Sequence, residues 1–302
     1  MIRIENVSCW YGDVVAVNGV TMAIGPGITG LLGPNGAGKS TLISLMAGFM
    51  PPSTGAVTLD GDRLWRNAAM YRRIGLVPET ESVYDALTGE RFVLASAKLH
   101  GLDSPGAATA AALATVEMTE VAGRQIATYS KGMKQRIKMA AALVHEPDVL
   151  LLDEPFNGMD PRQRLHLMDL LRKMGADGRT VLFSSHILEE VQQLATQIEV
   201  LVSGRHAASG DYRAIRAQMT DRPHLYRVRS SDDRRLAAAL IGGEGTAGVD
   251  LDDGTVQVRV TDFTAFSRAL PVMARDLGIR LTEVSPTDES LENVFSYLVG
   301  RR

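Results

Sequence analysis

Hydrophobic residues are spaced in different ways along the chain, and the changes outline its elements. Residues 1–30 hold short apolar runs separated by glycine-containing turn signals, which predict a meander of strands. Residues 82–145 are rich in Ala, Leu and Met at helical spacing, which predicts a helical segment. Strand-like and helical patterns then alternate from Val149 to Val202, which is typical of an α/β fold with a mostly parallel sheet.

The pattern changes again after about residue 215, which predicts a second domain over residues 216–302. Strand and helix patterns follow there in the order βαββαβ, with Asp253-Gly254 as the tight turn of a hairpin. This is the order of a ferredoxin-like split βαβ unit. A final pattern over residues 285–299 predicts an amphipathic helix with one apolar stripe. Such a stripe packs on its own domain or contacts another subunit, and the pattern leaves both open.

Composition restricts the classes of protein to which the chain can belong. Its 302 residues favour two domains, and a hydrophobic fraction of 45% is enough for a buried core. The net charge of −3 gives no electrostatic case for a nucleic-acid partner. The single cysteine, Cys9, fits a reducing compartment and a buried position. The longest apolar runs are far shorter than a membrane span, so we expect a soluble, cytoplasmic protein.

The most informative segment lies between an apolar strand-like run and a helical pattern. It fits the phosphate-binding pattern G-x-x-x-x-G-K-[ST], with the residues Gly33, Pro34, Asn35, Gly36, Ala37, Gly38, Lys39, Ser40 and Thr41. Its glycines let several backbone N–H groups face one anion, beside the positive end of a helix dipole. Lys39 can reach the β- and γ-phosphates, and the Ser40 hydroxyl can ligate Mg²⁺. The segment predicts a nucleoside triphosphate site.

Two adjacent carboxylates end a later apolar strand, Val149–Leu152. The carboxyl end of such a strand lies beside the phosphate loop in a doubly wound sheet. Asp153 can hold Mg²⁺ there, directly or through water, and Glu154 can polarise a water molecule aligned with the γ-phosphate. In isolation the pair fits a helix cap or surface charge equally well, but its position after a phosphate loop favours catalysis.

A third segment, residues 129–136, also predicts an anion site. Ser130 fits the N-cap of a following helix, and Gly132 permits close approach of a backbone. A phosphate is the natural ligand of such a helix start, yet the first loop already holds the phosphates. The segment therefore predicts a site for a second nucleotide or for the nucleotide of a second subunit.

Taken together and in this order, the segments resemble the nucleotide-binding subunit of an ABC transporter over residues 1 to about 215. Residues 33–41 resemble the Walker A motif, residues 150–154 the Walker B motif with its catalytic glutamate, and residues 130–135 the ABC signature. Residues 157–160, ending at Asp160, resemble the D-loop. His186 resembles the switch histidine, and Tyr11 the aromatic residue that stacks on adenine.

Two positions depart from the family pattern. The usual signature Leu-Ser-Gly-Gly-Gln reads Tyr-Ser-Lys-Gly-Met from residue 129. Ser130 and Gly132 are retained, so the segment resembles a competent variant of bacterial exporters whose permease is a separate chain, and Lys131 adds positive charge near the γ-phosphate. At the Q-loop, Glu79 replaces glutamine. Its carboxylate can still ligate Mg²⁺ but lacks the amide donor.

The resemblance implies an α/β P-loop ATPase with a mixed sheet, a helical subdomain over about residues 82–145 and a small C-terminal α+β domain. It implies that two copies sandwich two ATP molecules with Mg²⁺, each bound by one copy's phosphate loop and the other copy's signature. Lys39, Glu154 and His186 would then act in catalysis. The dimer would drive export through an integral-membrane permease at the inner face of the membrane, and it is a homodimer or a heterodimer.

Two other functions are compatible with parts of the pattern. One is a soluble ABC ATPase in DNA repair or on the ribosome, but the chain has neither heptads nor cysteine clusters and only one phosphate loop. The other is a regulatory protein whose C-terminal domain senses a ligand, although that domain has no cluster of polar residues that would indicate which ligand. The transported substrate is recognised by the membrane chain in this family, so this sequence does not specify it.

Overall fold

The structure is a computed structural model that describes residues 1–80, 82–210, 223–252 and 255–287. These residues fall into two compact units, the first ending at Gly210 and the second formed by the residues after it. The domain boundary predicted at residue 215, the turn at Asp253-Gly254 and the apolar stripe predicted after residue 287 lie outside the described residues.

The first unit opens with an antiparallel sheet made of β1 (Ile2–Tyr11), β2 (Val14–Ile24), β4 (Thr54–Leu59) and β5 (Asp62–Arg63). The strands lie in the order β2-β1-β4-β5. The apolar runs Val14–Val17 and Val20–Ile24 predict two short strands of the meander, but β2 is continuous. Its pairing with β1 is irregular between Val17 and Val20. Gly19 absorbs this irregularity with a φ of 60°, which glycine adopts without strain.

A second sheet forms the centre of the first unit. Its strands are β3 (Gly27–Leu32), β6 (Ile74–Val77), β7 (Val149–Leu152), β8 (Thr180–Ser185), β9 (Gln197–Val202) and β10 (Arg205–Gly210). They lie in the order β10-β9-β3-β8-β7-β6, and only β10 is antiparallel to its neighbour. Strands β7 and β8 are buried throughout, as expected for parallel strands covered on both faces. Because β3, β8 and β7 pair in parallel, their carboxyl ends meet at one edge.

Helices surround this sheet. They are α1 (Lys39–Met46), α2 (Ala68–Tyr71), α3 (Gly89–Leu99), α4 (Pro105–Thr115), α5 (Lys131–Leu143), α6 (Pro161–Ala176) and α7 (Leu188–Leu194). Helices α3, α4 and α5 contact one another and lie within the segment predicted as helical. The pattern extended the first helix to Phe49, but α1 ends at Met46 and Phe49 is exposed. Cys9 is buried in the core, as predicted.

The second unit contains β11 (His224–Ser230), α8 (Asp233–Leu240), β12 (Thr246–Asp252), β13 (Thr255–Val260), α9 (Phe263–Asp276) and β14 (Leu281–Pro286). The antiparallel sheet has the order β12-β13-β11-β14, which confirms the ferredoxin-like arrangement. The prediction that Ser285 and Pro286 begin a helix was wrong. Both pair with β11 as the last residues of β14, and an edge strand tolerates a proline.

None of the helices in the described ranges is long and apolar enough to cross a bilayer. The mixed central sheet with its surrounding helices confirms the predicted α/β class. What the fold provides for function is the shared edge at which β3, β7 and β8 end, because the phosphate loop, the two carboxylates and His186 follow these three strands directly.

Candidate nucleotide-binding site

A cavity of about 420 Å³ lies at this edge of the central sheet. Predicted residues from four segments line it, namely Asn35, Gly36, Ala37, Gly38, Lys39, Ser40, Thr41, Glu79, Glu154 and His186, together with residues 14–16 of β2. Gly33 and Pro34 form the base of the loop, where their carbonyl groups face the Lys39 ammonium group. The structure thus brings together residues separated by more than a hundred positions.

Two glycines are required by the close packing of the phosphate loop. A Cβ atom on Gly33 would lie 2.4 Å from the carbonyl oxygen of Leu201, and one on Gly38 would lie 2.3 Å from that of Ala16. Gly38 also has a φ of 97°, which disfavours any residue with a side chain. Gly38 precedes α1 and supplies no side-chain cap, so the first N–H groups of the helix are available to a ligand.

Lys39 is buried at the floor of the cavity and is compensated from within the chain. Its Nζ donates a hydrogen bond to the Gly33 carbonyl oxygen at 2.8 Å and lies 3.5 Å from Oε1 of Glu154. Only 7% of the Lys39 side chain is exposed. A buried charge requires such partners, so the lysine holds its position at the phosphate loop before any ligand arrives.

The two carboxylates that follow β7 have different surroundings. Asp153 accepts a hydrogen bond from the Ser184 hydroxyl at 2.6 Å, and the same hydroxyl accepts the Glu154 N–H at 2.9 Å. Glu154 has a φ of 47°, a left-handed conformation that costs a non-glycine residue about 1–2 kcal/mol. Such strain concentrates at functional sites, and here it accompanies a turn of the chain that leaves Glu154 lining the cavity.

His186 completes a bridge across the cavity. Its Nδ1 lies 2.9 Å from Oε2 of Glu154, while Oε1 of the same carboxylate faces Lys39. The histidine side chain is 40% exposed, whereas Glu154 is 6% exposed. Glu154 is therefore a buried carboxylate held between a cationic side chain and an imidazole.

Tyr11 lies at the end of β1 and does not line the cavity. Its ring is exposed, and its hydroxyl donates to the sulfur of Met50 at 3.2 Å. Its ladder partner Val14 does line the cavity. The tyrosine is thus an exposed side chain that pairs, across the sheet, with a residue that lines the cavity.

Glu79 lies in the loop after β6 and borders two cavities. It lines the phosphate cavity and also a second cavity of about 350 Å³. Lys138 of α5 fixes the loop on both sides of Glu79, because its Nζ donates to the carbonyl oxygens of Pro78 at 2.7 Å and Thr80 at 3.1 Å. The helix that follows the signature is therefore attached to the Glu79 loop.

The signature segment contributes residues to the second cavity and none to the phosphate cavity of its own chain. Ser130 caps α5 by accepting the Met133 N–H at 3.2 Å. Gly132 faces Gln163 so closely that an added Cβ would lie 2.1 Å from Oε1. Lys131 lines this cavity with residues that include Gln135, whose buried Nε2 has no hydrogen-bond partner within the described part of the chain.

Asp160 has a structural role within one chain. It is the N-cap of α6, and its carboxylate accepts the Gln163 N–H at 2.8 Å. Asp160 does not line the phosphate cavity of its own chain. Gly158, two residues earlier, contacts the Lys131 side chain at a position where a Cβ atom would lie 2.9 Å from the lysine Cβ, so the residues before α6 touch the signature.

Comparison with known proteins identifies the family. The family model described as ABC transporter matches residues 17–157. The bacitracin transport ATP-binding protein BcrA of Enterococcus faecalis is 32% identical over 306 residues, which cover 99% of this chain and 96% of BcrA. The chain belongs to the ABC transporter ATP-binding subunits. The sequence-based prediction of this family is confirmed.

Two further similarities agree with this assignment of the ABC subunit. The linearmycin resistance ATP-binding protein LnrL of Bacillus subtilis is 38% identical over 214 residues, covering 70% of this chain and 69% of LnrL. A solved structure of the ATP-binding subunit of an ABC transporter superimposes with a TM-score of 0.67 at 30% identity, over 72% of this chain and 92% of that one. The α/β ATPase fold and an ATP-binding function are thereby shown.

The residues of this ABC subunit fit a hard divalent cation. Ser40 and Glu79 line the phosphate cavity, whereas Asp153 is buried, directly precedes the cavity-lining Glu154 in the sequence, and does not itself line the cavity. Oxygen ligands of this kind, few in number and completed by phosphate oxygens, suit Mg²⁺. No group of three or more His, Cys, Asp or Glu residues that could hold a metal by itself occurs in the described ranges, so the nucleotide would complete the site.

The sequence did not indicate several residues that support this site. Ser184 links Asp153 to the Glu154 backbone, and Lys138 fixes the Glu79 loop. The only signal for Ser184 is a polar residue near the end of an apolar strand, two positions before His186. The pattern of Lys134, Arg136 and Lys138 predicts a solvated basic helix face, but Lys138 is buried, because the loop carbonyl groups lie against α5.

Proposed function

We propose that this subunit is the ATP-hydrolysing motor of an exporter, acting through a separate integral-membrane permease. The observation that carries the proposal is the arrangement at Glu154, a strained and buried carboxylate that lines the phosphate cavity between Lys39 and His186. A carboxylate in this place can act as a general base toward water at the terminal phosphate. The names of the relatives, which refer to transport and resistance, support export.

Binding of ATP begins with the phosphate loop. The N–H groups at the start of α1 and the Lys39 ammonium group contact the β- and γ-phosphates, so Lys39 exchanges its contacts with Gly33 and Glu154 for phosphate oxygens. Tyr11 stacks on adenine beside the loop. Ser40, Asp153 and Glu79 would hold Mg²⁺, which neutralises charge on the phosphates when bound.

Hydrolysis follows once Glu154 is released from Lys39. The carboxylate orients a water molecule, whose oxygen forms a bond to the γ-phosphorus while the bond to the bridging oxygen of ADP breaks. Glu154 accepts the proton of the water, and His186 contacts the γ-phosphate and keeps the carboxylate in position. The products are ADP and inorganic phosphate.

The signature acts on the nucleotide of a second copy. Within one chain, neither Ser130 nor Gly132 lines the phosphate cavity, so the nucleotide that they contact is not the chain's own. We infer that two copies face each other and that Ser130, Lys131 and Gly132 of one copy close the site of the other, with Asp160 at the same interface. A homodimer suffices, and a heterodimer with a related chain satisfies the same geometry.

The segment containing α3, α4 and α5 meets the permease and transmits closure of the dimer. A groove of about 690 Å³ between this segment and the rest of the unit supports this assignment, since its lining includes Phe49, Trp65, Phe92 and Lys138. The permease would keep the subunit at the inner face of the cell membrane. We assign residues 1–215 to the ATPase domain and residues 216–302 to an accessory domain that serves stability or assembly.

The decisive experiment is Glu154→Gln, with Glu120→Gln at an exposed position as the control. We expect Glu154→Gln to bind ATP, to release phosphate about 10²–10⁴-fold more slowly, and to accumulate an ATP-dependent dimer in size-exclusion chromatography. Glu120→Gln should match the wild type. Undiminished phosphate release by Glu154→Gln would contradict the role of the general base.

A further inference from the structure

One buried carboxylate near the nucleotide site takes no part in the proposed function. Glu190 lies in the first turn of α7, and only 4% of it is exposed. Its neighbour Glu189 is exposed in the same turn, so burial distinguishes two adjacent glutamates. A buried carboxylate needs partners that compensate for its lost hydration, and those partners indicate what Glu190 does.

The two carboxylate oxygens of Glu190 contact two different elements. Oε2 accepts a hydrogen bond from the Ser185 hydroxyl at 2.6 Å, and Oε1 lies 3.2 Å from Nη1 of Arg164. Ser185 is the last residue of β8, and Arg164 lies in the first turn of α6. Glu190 therefore joins the end of a central strand to the helix that follows the D-loop.

The Ser185 hydroxyl also fixes the turn that carries His186. Its oxygen accepts the N–H of Ile187 at 3.0 Å, so one hydroxyl group ties the residues on both sides of the histidine. Because this hydroxyl donates to Glu190, its orientation is defined by the carboxylate. The turn places His186 Nδ1 2.9 Å from Glu154, and any rotation of Ser185 would disturb that distance.

The contact with Arg164 makes this arrangement sensitive to the position of α6. Burial raises the pKa of Glu190, and the hydrogen bond from Ser185 and the charge of Arg164 offset only part of that effect. Moving the guanidinium group away would leave a buried negative charge with less compensation. Arg164 follows the N-cap Asp160 by one turn of helix, so a displacement of the D-loop moves it.

We propose that Glu190 is a positioning residue that holds the His186 turn and links it, through Arg164, to the start of α6. This inference rests on the proposed function, in which His186 contacts the γ-phosphate and residues 157–160 meet the second copy. Closure of the dimer can thus affect His186 through contacts within one chain. These are Arg164 to Glu190 at 3.2 Å, Glu190 to the Ser185 hydroxyl at 2.6 Å, and that hydroxyl to the Ile187 N–H at 3.0 Å.

The test is Glu190→Gln, which keeps the size of the side chain and its acceptor for Ser185 but removes the charge that faces Arg164. We expect kcat to fall about 10- to 100-fold, while the KM and the binding affinity for ATP stay at wild-type values because the phosphate-loop contacts are unchanged. Glu189→Gln, the same substitution at the exposed neighbour, should leave both constants unchanged. A wild-type kcat for Glu190→Gln would overturn the proposal.

A double-mutant cycle separates positioning from a general structural effect. In a His186→Ala background, Glu190→Gln should cause no further loss of kcat, because its effect passes through the histidine. A full additive loss would overturn the proposal. Wild-type turnover of His186→Ala alone would instead contradict the proposed function, so the two failures are distinguishable.

A second variant keeps the test decisive if Glu190→Gln does not fold. Arg164→Gln alters a partly exposed side chain and leaves the carboxylate in place. We expect a smaller fall in kcat, again at unchanged KM, and no additivity with Glu190→Gln where both are stable. A wild-type kcat for Arg164→Gln would show that α6 is not linked to the His186 turn.

Discussion

The first turns of α1 and α5 both lie in segments that suit a phosphate, but the two helices differ in how their N-termini are capped. Gly38 leaves α1 without a side-chain cap, whereas Ser130 caps α5 with its own hydroxyl. Beside α1, the buried Lys39 is compensated by Glu154. Beside α5, the exposed Lys131 lines a cavity with Glu79. The first start lacks a side-chain cap in a preformed site, whereas at the second the Met133 N–H group is already satisfied by Ser130.

The difference in capping explains how one chain can hold two half-sites without binding two nucleotides. The start of α1 gains hydrogen bonds whenever a phosphate arrives. The start of α5 must exchange its serine cap for a phosphate, which gains little unless another surface brings the nucleotide. We therefore expect changes at the first start to act on a single chain and changes at the second to act only between copies.

The largest effect should come from Lys39→Ala. The variant removes a buried ammonium group whose charge-assisted hydrogen bonds contribute about 1.5–3 kcal/mol each. The loss of two such bonds weakens ATP binding by roughly 100-fold or more, as calorimetry of the single chain would show. Lys131→Ala, which removes the same charge beside α5, should leave this affinity unchanged. Equal losses of affinity in the two variants would contradict the conclusion that only the start of α1 binds ATP within a single chain.

The next effect concerns pairs of chains. Ser130→Arg places a long side chain at the exposed start of α5 and should abolish turnover while leaving ATP binding intact. Mixing it with Lys39→Ala should restore about a quarter of wild-type phosphate release, because half of the dimers are mixed and each contains one complete site. Absence of any recovery, with mixed dimers demonstrated by differential tagging, would argue against composite sites.

A smaller effect should link the two residues that depart from the family pattern. Glu79 and Lys131 carry opposite charges and line the same cavity. We expect Glu79→Gln and Lys131→Gly each to change kcat about two- to five-fold, a range that fits exposed charge pairs. The double variant should lie near the wild type, since it returns both positions to neutral residues. Simple additivity would show that the two departures are independent.

The smallest effect lies in the hairpin behind the phosphate loop. Glu199 accepts a hydrogen bond from His206 at 2.6 Å, and this bond, with the charge of the carboxylate, raises the pKa of His206 despite burial. A raised pKa in the folded state stabilises the protein fully below about pH 6.5, the ordinary histidine value. That contribution is lost as the pH rises through the folded-state pKa.

The Tm of His206→Gln should therefore differ from that of the wild type most at pH 6 and least near pH 8.5. Differential scanning calorimetry across this range measures the effect. A difference that grows with rising pH would contradict the assignment. At each pH the affinity for ATP should be the same in His206→Gln and in the wild type, because His206 lies outside the residues that line the phosphate cavity.

Local signals in the sequence predicted much of this molecule. Short patterns of glycine, charge and apolar spacing predict the phosphate loop, the carboxylates after β7 and the βαββαβ order. Local signals failed where a distant partner decides. Ser285 and Pro286 have the composition of a helix start, yet pairing with β11 keeps them in a strand. Glu190 reads as one of two helix glutamates, and only packing buries it.

The contacts of Ser184 illustrate the same limit within the site. Its hydroxyl joins Asp153 to the backbone of Glu154 because β7 and β8 run parallel and side by side. No spacing rule connects positions thirty residues apart on neighbouring strands. Most residues that line the phosphate cavity could therefore be predicted, whereas the hydrogen bonds that orient them could not.

The ion pair between Lys39 and Glu154 has a consequence for how the subunit rests. With the ammonium and carboxylate groups opposed, the charge of Lys39 is already balanced before a nucleotide binds, and Glu154 is already engaged. Nucleotide entry is then a charge-exchange reaction, in which an incoming phosphate must displace the carboxylate from the lysine. A ligand whose negative charge stops short of Lys39 cannot do this. Glu154 therefore stays paired with Lys39 until a polyphosphate long enough to reach the lysine separates the two side chains.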